Sequence, residues 1–285
     1  MRLYRPATPI TLALGDVVHD LTNRALVMGI LNRTKDSFFS PAATFELDAF
    51  FARAEQLVAE GADLLDVGGV KAGPGDEVSE EQELDRVVPV VGELRKRFDV
   101  PISIDTWRAS VAEACFAEGA CMGNDISGFA DPRYLGVAAT AGATVVATHI
   151  RLRPRVADPN PVYDDVTETV QDFLLERRGW ARSAGLSDER IVLDAGLDLG
   201  KTAGQSLQLL RDSARLAELG LPLLLSASNK TFLGVMFDLA VTERREASLS
   251  ATALGIAAGC RIVRVHDVLG SVRVRDTIAR VMEAA

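Results

Sequence analysis

Short apolar runs recur along this chain, each followed by a longer amphipathic stretch, and that alternation restricts the fold more than any other feature. The runs cover residues 25–31, 64–67, 101–104, 144–147, 191–193, 221–225 and 262–265, with a weaker one at 122–126. They have strand length and little inside–outside alternation, as parallel strands covered on both faces require. Helical spacing of apolar residues appears at 47–60, 80–98, 109–118, 166–184, 207–219 and 247–258. Gly61, Gly119, Gly142, Gly185, Gly220 and Gly259 stand just past such segments, where helices commonly end. An eightfold strand–helix alternation predicts a (β/α)8 TIM barrel, and 285 residues suit one such domain over 1–285. An open doubly wound sheet shares the local pattern and stays open at this point. Residues 1–20 precede the first run and are expected to form a short N-terminal extension, a small hairpin or lid at the bottom of the barrel.

Charge and cysteine content narrow the class of partner. The formal net charge is -9 and the pI is near 5.0, which argues against nucleic acid and anionic membrane as partners. An anionic ligand therefore needs a local group of cations. Cys115, Cys121 and Cys260 show no CxxC spacing, so they read as reduced thiols of a cytoplasmic protein, not as a disulfide framework or zinc knuckle. Near the start, Arg2 and Arg5 are followed by Pro6, Pro9 and Asp16, which interrupt any apolar core and exclude a signal peptide. No stretch has the length and apolarity to span a bilayer.

In a barrel the active face lies at the C-terminal ends of the strands. Every apolar run here ends in polar residues: Asn32; Asp66-Val67-Gly68-Gly69; Asp105-Thr106; Asn124-Asp125; His149; Asp194; Ser228-Asn229-Lys230; Arg264-Val265-His266-Asp267. One such end is a cap or a turn, whereas eight together point to a site. Asp105, Asn124 and Asp194 offer acceptors and an amide suited to a flat, donor-rich heterocycle. Arg264 and His266, two apart on one strand, face the mouth together and offer a forked cation and a possible second positive charge to phosphate oxygens. Lys201 and Lys230 add positive charge. The competing structural readings are that Asp105 caps the next helix, that His149 is a satisfied structural histidine, and that His19 is a surface residue. Gly200-Lys201-Thr202 is not a P-loop, because Ala195 stands where that motif needs glycine.

From about Ala25 to the end, the order of motifs resembles the dihydropteroate synthase family. They run Met28-Gly29-Ile30-Leu31-Asn32, Asp36-Ser37-Phe38, Asp66-Val67-Gly68-Gly69, Ser103-Ile104-Asp105-Thr106, Asn124-Asp125-Ile126-Ser127-Gly128, Asp194, Gly200-Lys201-Thr202, Lys230 and Arg264-Val265-His266-Asp267-Val268. The resemblance implies condensation of 6-hydroxymethyl-7,8-dihydropterin diphosphate with p-aminobenzoate, with loss of diphosphate. It implies that Asp105, Asn124, Asp194, Lys230 and Arg264 hold the pterin. It also implies that Asn32, Arg264 and His266 meet the diphosphate, Asn32 through Mg²⁺, and that the protein is a homodimer. The departures cluster elsewhere. The family's Glu-Ser-Thr-Arg-Pro-Gly is Val70-Lys71-Ala72-Gly73-Pro74-Gly75 here, and its Val-Thr-Pro is Arg33-Thr34-Lys35. Ser-Arg-Lys becomes Ser228-Asn229-Lys230, Gly-Phe-Gly-Lys-Thr becomes Asp198-Leu199-Gly200-Lys201-Thr202, and Met-His becomes Thr148-His149. The amine side, with Lys71, Ser228 and Asn229, is thus altered, and the chain resembles the divergent second synthase-like copies of some actinobacteria, with synthase activity weak or lost. Two alternatives stand beside this: a fully active synthase, and a non-catalytic pterin-binding or structural partner. A pterin-dependent methyltransferase is disfavoured, since methyl transfer needs no diphosphate site.

Overall fold

The computed structural model describes residues 3–33 and 42–284, with the side chains of 42–46 left out. Arg2 and the motif residues Thr34, Lys35, Asp36, Ser37 and Phe38 lie outside the described residues. Eight parallel strands close into a barrel: β3 (Leu26–Asn32), β4 (Leu64–Gly68), β5 (Ile102–Asp105), β6 (Met122–Asp125), β7 (Thr144–Thr148), β8 (Ile191–Asp194), β9 (Leu223–Leu225) and β10 (Cys260–Val265). β10 pairs back onto β3, with Ile262 opposite Leu26 and Arg264 opposite Met28. The fold is thus the (β/α)8 barrel expected from the alternation, and the open sheet is excluded.

The antiparallel hairpin of β1 (Thr11–Leu14) and β2 (Val17–Asp20) closes the N-terminal end of this barrel. Leu12 and Leu14, with Ile10 and Leu21, share one core cluster with the lowest inward residues of the barrel strands, among them Leu26, Leu64, Met122, Val192 and Ile262. The Thr144 hydroxyl donates to the Ala13 carbonyl and ties the hairpin to β7. His19, expected at the surface, is half-buried on β2, because the hairpin lies against the barrel end instead of projecting from it.

Alternate strands fill such a barrel in layers of four side chains. Leu64, Met122, Val192 and Ile262 of β4, β6, β8 and β10 are buried in the interior cluster. Two residues further along the same strands stand Asp66, Asn124, Asp194 and Arg264, so parity turns them inward one layer nearer the mouth. The apolar interior therefore ends in a charged layer.

Ten helices surround the barrel among the described residues: α1 (Ala42–Ala59), α2 (Glu80–Arg97), α3 (Ala109–Ala117), α4 (Tyr134–Thr140), α5 (Val166–Ser183), α6 (Ala203–Arg211), α7 (Ser213–Ala217), α8 (Thr231–Phe237), α9 (Arg245–Ala257) and α10 (Val268–Glu283). The helix expected at 207–219 is two helices. It starts earlier because Thr202 and Gln205 form a capping box, and it breaks at Asp212, whose carboxylate accepts from the Thr167 hydroxyl at 2.9 Å. The helices α4, α8 and α10 were not anticipated individually. Gly259, at φ +110°, turns the chain from α9 into β10 in a conformation that costs other residues strain.

Candidate functional site

Arg264 organises the mouth. Its Nε donates to Asp66 Oδ2 at 2.6 Å and its Nη2 to Asp105 Oδ2 at 2.7 Å. Asp66 is fully buried and also accepts from the Ser103 hydroxyl at 2.6 Å and from Asn124 Nδ2 at 3.2 Å. One guanidinium thus serves two carboxylates. Burial, reinforced by Asp66 and Glu83, pushes Asp105 up to about 7 although Arg264 pulls the other way. Burial also opposes the charge on Arg264, but Asp66 and Asp105 outweigh it and hold the guanidinium protonated. Asp105 does not cap the following helix: α3 begins after Arg108 with no side-chain cap. Asp66 and Ser103 were not singled out from the sequence. Their signal was parity, since both are polar residues at inward positions of otherwise apolar strands.

Asp194 closes the other side of the slot. Its Oδ1 accepts from the Gly196 N–H at 2.8 Å, while burial raises its pKa. Gly196 has φ +64°, and a Cβ there would stand 2.0 Å from the His149 carbonyl oxygen. Lys230 Nζ donates to the Leu197 carbonyl at 3.2 Å, and burial lowers its pKa against the pull of Asp198 and Asp194. Asp198 fixes the start of α8 by accepting from the backbone of Thr231 and Phe232.

The structure corrects the role given to Lys201. Its ammonium contacts His149 Nδ1 at 2.9 Å and donates to the carbonyls of Gly196 (2.8 Å) and Leu199 (2.9 Å). Burial brings it down to about 7. It staples the loop after β8 instead of adding to an anion site. His149 is the structural histidine: it meets Phe173 edge-on at 4.8 Å, and burial depresses it to about 3.

Asn32 is exposed at the end of β3, and its Oδ1 and Asp105 Oδ2 lie 3.4 and 3.5 Å from where a Cβ on Gly68 would stand. No group of three or more His, Cys, Asp or Glu able to hold a metal occurs among the described residues. His266 contacts Ser228 Oγ at 3.0 Å through Nδ1, and its carbonyl accepts from Arg53 of α1 at 2.7 Å. Burial, then Arg264, Arg53 and Lys230, depress it to about 4, so it is neutral at pH 7 and not the ready cation expected from sequence. A bound dianion reverses the cationic contribution and raises this pKa, so the complex holds more protons than the free protein and affinity gains as pH falls. Titration calorimetry with inorganic diphosphate at pH 6, in two buffers of different ionisation enthalpy, is expected to show proton uptake that is smaller in His266→Gln. Equal uptake in both proteins would remove His266 from the anion site.

The altered loops are held in a particular way. Lys71 is exposed, and its carbonyl accepts from Arg155 Nη1 at 3.1 Å. Arg155 also donates to the Asp76 carbonyl, and its N–H donates to the Ala72 carbonyl at 2.9 Å. Strands β4 and β7 are three places apart in the barrel, so these loops meet over the mouth. Asn229, at φ +58°, accepts from Arg244 at its carbonyl (3.0 Å) and has Ser248 Oγ 3.4 Å from its Oδ1.

Comparison with known proteins gives a consistent picture. A family model described as pterin binding enzyme matches residues 28–266. A Mycobacterium leprae (strain TN) protein named inactive dihydropteroate synthase 2 is 42% identical over 265 residues, 91% of this chain and 91% of its own length. The dihydropteroate synthase of Clostridium beijerinckii is 38% identical over 263 residues, 91% of this chain and 95% of its own. A crystal structure of Yersinia pestis dihydropteroate synthase with a sulfonamide drug complex has a TM-score of 0.90 at 34% identity, covering 97% of this chain and 100% of that one.

Proposed function

Because the chain belongs to the dihydropteroate synthase family of pterin-binding enzymes, we propose that it binds a pterin diphosphate in the charged layer at its mouth and joins it to an arylamine weakly or not at all. The observation that carries this reading is the inward set Asp66, Asn124, Asp194 and Arg264, flanked by Asp105 and Lys230. A pterin presents a row of N–H donors, and a slot with two carboxylates and an amide supplies the acceptors. Asp105, Asn124, Asp194, Lys230 and Arg264 hold the ring. Arg264, His266 and Asn32 receive the diphosphate.

The residues present suit Mg²⁺ only as a companion of the diphosphate. Asn32 offers one neutral oxygen, and this cation takes oxygen ligands largely from phosphates and water. When bound, it screens the charge on the leaving group. Condensation breaks the C–O bond to diphosphate and forms a C–N bond to the amine, which loses a proton; positioned cations favour the first event. On the amine side stand Lys71, Ser228 and Asn229. Ser228 is engaged with His266 and Asn229 with α9, which supports weak activity.

The homodimer reading is supported by an apolar groove of α6, α8 and α9 that a second copy would cover. A cavity of about 570 Å³ is lined there by Leu207, Leu233, Phe237 and Leu254, and Phe237 is 60% exposed. No described helix is long and apolar enough to cross a membrane. The free Cys115, Cys121 and Cys260 support a reducing, cytoplasmic setting.

Asp194→Asn tests the pterin reading. Exchanging the carboxylate for an amide places a donor against a donor edge, and pterin diphosphate affinity is expected to drop by about 1.5–3 kcal/mol. Unchanged affinity in a calorimetric titration would take the ring out of this slot.

A further inference from the structure

Thr148 is the last residue of β7, and parity turns it inward. Val146, two residues before it, belongs to the interior cluster, whereas Val145 and Ala147 pack outward beneath the helices. Thr148 therefore borders the charged layer. The ladder fixes its neighbours: it lies directly opposite Asp194 of β8, and Asn124 of β6 lies opposite Val146, one inward step deeper.

The hydroxyl of this residue has no internal use. Thr148 is buried at 1% exposure, and its Oγ1 has no hydrogen-bond partner among the described residues. Other inward hydroxyls of the barrel strands are engaged. Thr144, on the same strand, donates to the Ala13 carbonyl, and Ser103 of β5 donates to Asp66. The Thr148 methyl is turned toward Gly196, 3.3 Å from where a Cβ there would stand, so one branch of the side chain packs and the other is left over. A threonine hydroxyl ordinarily finds a nearby carbonyl, and one enclosed without a partner costs stability that valine, of the same shape, avoids. The family's Met-His pair is Thr148-His149 here, so the fold itself does not require a hydroxyl at this point.

An open hydroxyl beside an amide and a carboxylate suits a ligand group with more than one N–H to place. The exocyclic amine of a 2-amino-4-oxo ring has two. We infer that Thr148 is a specificity-determining residue of the pterin slot, its hydroxyl accepting from the exocyclic amine of the ring between Asn124 and Asp194. This rests on the pterin reading above. Methionine at the same place offers apolar contact and a weakly accepting sulfur, so the threonine adds a polar check on the ring that the family's residue does not supply.

The test is a cycle on protein and ligand together. Pterin diphosphate and its 2-deamino counterpart, which lacks the exocyclic amine, are titrated by calorimetry into the full chain and into Thr148→Val. Loss of the amine is expected to weaken binding to the parent about 10-fold more than binding to Thr148→Val, the effect of one hydrogen bond. Thr148→Ser, which keeps the hydroxyl, is expected to follow the parent. Without ligand, Thr148→Val is expected to melt no lower than the parent, because it removes a polar atom that has no partner. Equal losses in parent and Thr148→Val, a serine variant that follows the valine one, or a valine variant that melts well below the parent overturns the inference. The parent titration separates the two levels of the argument. A parent that binds neither ring refutes the pterin reading and this inference with it, whereas a parent that binds the pterin without coupling to Thr148 refutes this inference alone.

Discussion

Replacing Arg264 with methionine is expected to abolish pterin diphosphate binding and to destabilise the protein by about 3–5 kcal/mol, the usual cost of stranding a buried charge. The reason lies in the arithmetic of the cluster. Arg264 is the cation bonded to both Asp66 and Asp105, and Asp66 has no exposure to water. Methionine has similar bulk, so packing is largely retained and the loss is electrostatic. Adding Asp66→Asn is therefore expected to recover much of the stability but none of the binding. Denaturant unfolding of both variants checks this. A single variant as stable as the parent would mean that the cluster is not the electrostatic centre described. The pH dependence has a definite sign as well. Asp105 is raised to about 7, so between the ordinary carboxylate range and pH 7 the folded state binds more protons than the unfolded chain. Its contribution to stability falls as pH rises through that window and levels off above it.

The second large effect concerns the rewritten loops. Ala72→Thr with Gly73→Arg restores the two family side chains, and release of diphosphate from pterin diphosphate and p-aminobenzoate is expected to rise by about two to three decades, as for one recovered transition-state contact. The structure favours these two positions. A Cβ on Gly73 meets no atom within 4 Å, so an arginine there has room. Val70, by contrast, is buried at 6% exposure, and a glutamate there places a charge in the core. Asn229 sits at φ +58°, where arginine costs roughly 1–2 kcal/mol in backbone strain and asparagine is better tolerated. No increase in release would mean that the missing loop groups are not what limits activity.

The barrel was legible because its strands are apolar on both faces and its helices end in glycine, signals that survive without any knowledge of packing. The polar residues of the charged layer were legible as a group because they sit at strand ends. Asp66 was quoted only as part of a motif, because a carboxylate within a strand run looks like a flaw in the run until inward parity is matched across four strands. Lys201 was misjudged for a different reason. A cation near the mouth reads as a ligand group, and only the carbonyls of Gly196 and Leu199 around its ammonium reveal a staple. The break at Asp212 depends on Thr167, 45 residues away, and the clasp of Arg155 on Lys71 spans 84. Local pattern carries neither.

The most direct test of the central claim, a retained pterin half with an impaired amine half, is a sequential titration. Pterin diphosphate with Mg²⁺ is titrated into the full chain by calorimetry, then p-aminobenzoate is added while diphosphate release is followed. The account predicts saturable pterin binding followed by little or no release. Rapid release at the rate of an ordinary synthase, or no pterin binding at all, would contradict it.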